Sequence, residues 1–219
     1  LELAYARTEA EFVRGAAMAG DRSGCTALSL ILDSKQRRIT VANLGDCRAL
    51  ISRNGQAKEI TRDHIPTDSA EADRICSEGG TIIADRVAGK LSVSRTIGDL
   101  DKKGQKIKGL SASPELFEIE LGDDLDFVLI GCDGLFEQNT SEKLARFVRC
   151  LIRVRRCPQK VVEIEGDGQP DDDSDSADGE GRGDGGEQVY AGIVVWRAEE
   201  SEEGAEIFKG VADCQVDVD

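Results

Sequence analysis

Asp133 has the setting in this chain best suited to chemistry. It ends the apolar part of DFVLIGCDGLFE, residues 126–137. Phe127 to Ile130 are apolar without alternation, the pattern of a strand covered on both faces. A carboxylate planted where such a strand stops is desolvated on one side. It is costly there unless it meets a cation or a full set of donors. Gly134 would let the backbone turn sharply away from it. Two readings are open for Asp133, a metal ligand at a strand end and a plain Asp-Gly turn.

The elements that must position this residue can be read along the chain. Leu3, Ala6, Ala10, Val13 and Ala17 recur at helical spacing, so residues 1–19 form an amphipathic helix ending near Gly20. Residues 26–32 and 38–44 pair as strands around a polar turn. Residues 47–60 make a hairpin with Arg53-Asn54-Gly55-Gln56 at its tip. A helix spans 69–79 and stops at Gly79-Gly80. Thr140 or Ser141 caps another, with Leu144, Phe147, Val148, Leu151 and Ile152 on one face. VYAGIVVW, residues 189–196, is a last buried strand. Hairpins interrupted by helices indicate an α+β sandwich of antiparallel sheets, not a parallel doubly wound fold.

The formal charge of −15 is unevenly placed. Residues 163–187 carry eleven acids against one arginine, and residues 199–219 carry eight against one lysine. The rest is close to neutral, so the acidity belongs to two appendages and argues against nucleic-acid binding. The expected organisation is a core over 1–162, an acidic disordered insertion over 163–187, a final core strand over 188–198, and a solvated acidic tail over 199–219. No stretch approaches the length of an apolar membrane span. Seven cysteines without a CxxC pair, several inside apolar segments, fit reduced thiols in the cytoplasm or nucleus.

Six segments follow one another in a telling order: SGCTA (23–27), ANLGDCRA (42–49), TRDHIPT (61–67), EADRICSEGG (71–80), GKLSVSRTIGD (89–99) and CDGLFE (132–137). In these the chain resembles the type 2C, metal-dependent protein serine/threonine phosphatases, the PPM-type family. The resemblance implies a four-layer α-β-β-α sandwich, two antiparallel sheets flanked by helices. It also implies a cleft in which carboxylates hold two Mn²⁺ or Mg²⁺ ions and a bridging water that attacks a phosphoserine or phosphothreonine. Oxygen ligation of hard cations needs no His or Cys cluster. By this resemblance Asp133 matches the central metal-ligand Asp. Asp46 matches an Asp serving an additional, weaker metal, although Gly-Asp between strands also suits an Asx turn. Glu137 stands where relatives carry another Asp for that metal, or it favours the helix that follows through the dipole. Asp99 matches a position near the cleft and suits a loop cap. His64 belongs to a segment with a structural role. Arg48 and Arg95 could attract phosphate.

The chain also departs from the family pattern. The segment holding the first metal-ligand Asp, a DGHG-type motif, is not recognisable in the short stretch before SGCTA, and Leu1 is no initiator Met. The expectation is an N-terminally truncated chain missing early strands. Where the last ligand Asp would open a D-N-x-[ST] stretch, GEQVYAGIVV stands instead, with Glu187 a lengthened substitute and Asp184 an outside candidate. The function expected is PPM-type phosphatase, weakly active or inactive as given, working on phosphoprotein substrates as a monomer with weakened metal binding. The alternatives are a pseudophosphatase that binds protein partners and a truncated product that folds poorly.

Overall fold

The computed structural model describes residues 1–137, 139–155, 161–167, 188–195, 206–210 and 214–215, with side chains described over 1–136 and 139–150. It opens with α1 (Glu2–Ala19), then β1 (Gly24–Cys25), β2 (Ala27–Asp33), β3 (Arg38–Leu44), β4 (Arg48–Arg53) and β5 (Gln56–Glu59). Next come α2 (Ser69–Ser77), β6 (Ile82–Ile83), β7 (Arg86–Val87), β8 (Ile97–Gly98), β9 (Glu115–Glu120) and β10 (Leu125–Gly131). The chain continues through α3 (Asp133–Glu137), α4 (Ser141–Arg155), β11 (Val161–Asp167), β12 (Gln188–Val195), β13 (Glu206–Gly210) and β14 (Cys214–Gln215).

Two antiparallel sheets dominate, ordered β13-β2-β3-β9 and β11-β12-β10-β4-β5. They stack because each presents an apolar face at every second residue. Leu28, Leu30 and Leu32 of β2 and Ile39 and Val41 of β3 meet Ala49 and Ile51 of β4 and Val128 and Ile130 of β10 in one core. The other face of the β4–β10 pair, with Leu50, Phe127 and Leu129, is covered by Phe136 of α3 and by Leu144, Ala145 and Val148 of α4. On the far side α1 lies over β3 through Tyr5, Ala42 and Leu44. The Tyr5 hydroxyl donates to the Ala42 carbonyl at 3.2 Å. The architecture is therefore the α-β-β-α sandwich expected.

Most local readings match the elements seen. Gly20 ends α1 in the left-handed conformation with φ 71°, and Asp68 caps α2 by accepting from the backbone of Ala70 and Glu71. Thr140 Oγ1 accepts from the Lys143 backbone at 3.3 Å at the start of α4. One helix face differs. Phe147 is 54% exposed and Ala145 is buried in its place. Leu144, Ala145 and Val148 define the contacting stripe, and Phe147 lies roughly 100° round the helix from its centre. Leu151 and Ile152 lie beyond the described side chains.

Strands also lie within two segments expected as acidic appendages. Residues 163–167, expected to begin the insertion, belong to β11, which pairs along β12 from Val161↔Val194 to Asp167↔Gln188. The run VVEIE holds three β-branched residues that the surrounding acids obscured. The tail contributes β13, paired with β2, and β14, paired with β1. The short run EIFKG closes an edge of β2 that would otherwise offer open backbone groups. The rest of the acidic stretch, 168–187, including Asp184 and Glu187, lies outside the described residues, as do 196–205.

A buried ion cluster ties α2 to the segment before β9. The Glu71 carboxylate is 3% exposed and accepts from Arg95 at 2.5 Å, Arg74 at 2.9 Å and the Ser94 hydroxyl at 2.6 Å. Burial alone would raise the Glu71 carboxyl, but hydrogen bonds from Arg95, Ser94 and Arg74 outweigh it and hold the group down at about 2. Removing one partner strands the others in a low-dielectric site. Glu71→Gln should cost about 3 kcal/mol in urea unfolding at pH 7. Because the folded carboxyl is depressed, its stabilisation is present above the unfolded value near 4.5 and is lost as pH falls toward 2. Acid titration of stability should therefore be shallower in Glu71→Gln over that window. An unchanged acid slope would show that Glu71 is not the titrating group.

Candidate metal-binding site at the end of the central strands

The geometry of the site follows from one register. β4 and β10 pair antiparallel, ending at Ile130↔Ala49 and Gly131↔Arg48. Asp46 and Cys47 lead into β4 at this end, and Cys132 and Asp133 lead out of β10. Cys47 and Cys132 are both buried in the core between the sheets. Asp46 and Asp133 thus leave the same end of the central pair, both half-buried. Burial chiefly pushes the Cys47 thiol up, a hydrogen bond with Thr26 opposes this, and the charges of Asp46, Cys132 and Asp133 add to the rise.

Each aspartate is held by its local backbone. Asp133 opens α3, and its Oδ1 accepts from the Gly134 backbone at 2.8 Å. Asp46 follows Gly45, whose φ of 107° is unfavourable for a side chain. A Cβ on Gly45 would stand 2.2 Å from the Thr26 side chain. His64 grips this glycine from both sides. Gly45 N donates to His64 Nδ1 at 3.1 Å, and His64 N donates to the Gly45 carbonyl at 2.9 Å. Since Nδ1 accepts, the proton of the neutral ring sits on Nε2, which faces Glu115 Oε2 at 3.3 Å. Arg62 donates to the same oxygen at 2.9 Å. His64 is fully buried with both ring nitrogens engaged, the structural part expected of it.

The remaining candidates have surroundings of their own. Asp99 is buried beside β1, with φ 55°. Its carboxylate occupies the place that a Cβ on Gly24 would need, 2.2 Å away. Arg48 is committed to Asp63 through two bonds of 2.8 and 2.6 Å, and its guanidinium lies 6.0 Å from the centre of the Phe136 ring. Arg95 is committed to Glu71 and to the Ser113 carbonyl. Neither arginine is poised to receive a phosphate. Glu137 closes α3, and its side chain lies outside the described residues. A cavity of about 410 Å³ beside Phe136 is lined by Arg48, Glu59 and residues 139–142, without Asp46 or Asp133. Among the described residues no three His, Cys, Asp or Glu side chains converge as a metal site. Two carboxylates at one strand end match the oxygen chemistry of a hard divalent cation, with water completing its shell. Among the described side chains they do not amount to a set for two cations.

Sequence reading passed over the Glu71 cluster and the Lys106 ammonium, which donates to Glu9 at 2.9 Å and to the Thr96 and Gly98 carbonyls at 2.9 and 2.8 Å. Charged residues inside apolar motif segments were the available signal, but their partners lie too far along the chain to be inferred.

Burial, and next the Arg95 charge, lower the His64 imidazole below its ordinary 6.5, against the raising influence of Glu71 and Glu115. A depressed histidine stabilises the fold fully above the unfolded value and less as pH falls below it. Stability should therefore drop from pH 6.5 downward in the native protein. His64→Leu should lose about 1–3 kcal/mol at pH 7, because the Gly45 N–H is left unpaired, and should flatten the pH dependence just below 6.5. A His64→Leu profile parallel to the native one would remove His64 from this account.

The model of the protein phosphatase 2C family matches residues 1–164. Probable protein phosphatase 2C 60 of Arabidopsis thaliana is 43% identical over 135 residues, covering 59% of this chain and 37% of that protein. Probable protein phosphatase 2C 22 of the same plant is 36% identical over 175 residues, covering 74% of this chain and 44% of that protein. Protein phosphatase 1B of Homo sapiens is 37% identical over 139 residues, 61% of this chain and 29% of that protein. The chain thus spans less than half the length of these relatives. Among solved structures, a C. elegans sex determining protein superposes with a TM-score of 0.63 at 20% identity, covering 87% of this chain and 45% of that one. Serine-threonine phosphatase 2C from Toxoplasma gondii superposes with a TM-score of 0.59 at 16% identity, over 87% of this chain and 64% of that one. These two likenesses concern the fold, whereas the family match is one of sequence over residues 1–164. The chain belongs to the protein phosphatase 2C family.

Proposed function

We propose that this chain contributes the Asp46–Asp133 half of a metal-dependent protein serine/threonine phosphatase site of the PPM type, acting on phosphoserine and phosphothreonine in proteins. The observation that supports the reading, in a member of this family, is the β4–β10 register, which ends at Gly131↔Arg48, two residues from Asp133 and from Asp46. Mn²⁺ or Mg²⁺, when bound, supplies an activated water and offsets the charge of the phosphoryl group. Asp133 and Asp46 offer carboxylate oxygens to the cation, and the Gly45–His64 pairing fixes the bend from which Asp46 projects. Glu137 is the further carboxylate proposed for the same ion. Cys47 and Cys132 seal the floor beneath the pair against water. Core thiols of this kind support placing the protein in the cytoplasm or nucleus. No helix among the described residues is long and apolar enough to cross a membrane.

A second reading, that the 219 residues by themselves act as a pseudophosphatase, is favoured by a specific observation. Among the described side chains the strand end offers two candidate carboxylates, Asp46 and Asp133, and Arg48 and Arg95 already hold carboxylates of their own. A cation held mainly by water loses much of the acidification and positioning on which turnover depends.

The two readings part in solution. Isothermal titration of the purified chain should show weak Mn²⁺ binding, with Kd around 1 mM by analogy with oxygen sites of few carboxylates. Asp133→Ala and Asp46→Ala should each weaken it further, by roughly tenfold for one lost carboxylate. Hydrolysis of a phosphopeptide by these residues alone should stay at background. Mn²⁺-dependent turnover abolished by Asp133→Ala would overturn the pseudophosphatase reading and establish an enzyme as it stands. Mn²⁺ binding indifferent to both substitutions would overturn the metal assignment itself.

A further inference from the structure

The register of β1 and β14 brings two cysteines face to face. Gly24 pairs with Gln215 and Cys25 with Cys214 in an antiparallel ladder. Directly opposed residues in such a ladder have Cα atoms about 4.5–5.5 Å apart, and side chains at opposed positions share a face. A disulfide requires Cα atoms about 4.4–6.8 Å apart, so either kind of antiparallel pair satisfies it. From this juxtaposition we propose that Cys25 and Cys214 form a reversible disulfide that fastens the C-terminal strand to β1.

The remaining described thiols do not compete on equal terms. Cys47 and Cys132 are 0% and 4% exposed, out of reach of a soluble oxidant. Cys76 on α2 and Cys150 on α4 are exposed on separate elements. Cys25 is half-buried on β1, whose side away from β8 is covered by β14. Glutathione disulfide is the oxidant class. The thiolate of one cysteine attacks it, forming a mixed disulfide and expelling one glutathione thiolate. The second cysteine, deprotonated, attacks the protein-side sulfur and expels the other. Two protein thiols are oxidised, one glutathione disulfide is reduced to two glutathiones, and the two protons pass to the leaving thiolates. In a reducing compartment the pair stays dithiol and closes only when the glutathione pool shifts. β1 pairs on its other side with β8, Gly24 opposite Gly98, so the bond would brace the strand against which the Asp99 carboxylate packs.

Peptide mapping of the native chain decides the matter. After incubation with glutathione disulfide, alkylation under denaturing conditions and tryptic digestion, the peptide over residues 23–35 should be linked to that over 210–219. The link should exceed any other cysteine pairing by roughly tenfold, as opposed neighbours have a high effective concentration. It should be reversed by dithiothreitol, and the same treatment in concentrated urea should scramble it. Cys214→Ser should leave Cys25 as thiol or mixed disulfide. A native digest in which Cys25 is linked to another cysteine, or in which Cys214 carries only glutathione, would overturn the proposal.

Discussion

The pairing of β4 with β10 is the constraint on which the rest of the structure depends. Both strands are buried on both faces, one set of side chains entering the core between the sheets and the other lying under α3 and α4. A slip of one residue would send Ser52 and Leu50 into the space that Ile51 and Ala49 fill and would strand polar groups between the sheets. The packing therefore permits one register, and that register ends two residues short of both Asp46 and Asp133. That the two candidate residues leave one strand end is a by-product of how the core closes.

Around this pair the molecule uses ionic groups as internal fasteners. Glu71 holds Arg95 and Arg74, Asp63 holds Arg48, Glu115 holds Arg62 and His64, and Glu9 holds Lys106. Buried charges of this kind add less net stability than their short distances suggest, since desolvation offsets much of the attraction. What they do supply is position, because each satisfies only one geometry. Arg48 and Arg95 invite assignment to a phosphate, but each is bonded to a carboxylate of the fold, Asp63 and Glu71.

The parts of the fold written in local pattern were legible in the sequence. The 3.6-residue spacing of α1, the Asn54-Gly55 hairpin tip, the glycines ending α2 and the apolar run of β10 all emerge from neighbours in the chain. Asp46 and Asp133 stood out as candidates because they follow glycine-bearing strand ends in recognisable segments. That Asp46 comes near Asp133 was expected only through the family order of those segments, since a strand register between residues far apart is not written in local pattern. The same reason hid the partners of Glu71 and Lys106. Phe147 misled because hydrophobicity alone marks a helix face, while the direction of approach decides which apolar residue is covered. The acidic segments misled in the opposite sense. Charge density outweighed the short apolar runs in VVEIE and EIFKG that enable β11 and β13 to join the sheets.

One consequence of the strand order concerns time. β2 and β1 emerge from the ribosome early, yet the strands that complete their outer edges, β13 and β14, lie near the end of the 219 residues. At ordinary synthesis rates of about 5–20 residues per second, that delay is on the order of ten seconds or more. Throughout it the nascent sheet shows a row of unclaimed backbone donors and acceptors to whatever else is in the cell. Sheet contacts between such distant parts of a chain also form slowly. The protein is therefore built with a period of vulnerability in which a chaperone has an edge to guard, and β13 and β14 are the strands that end it.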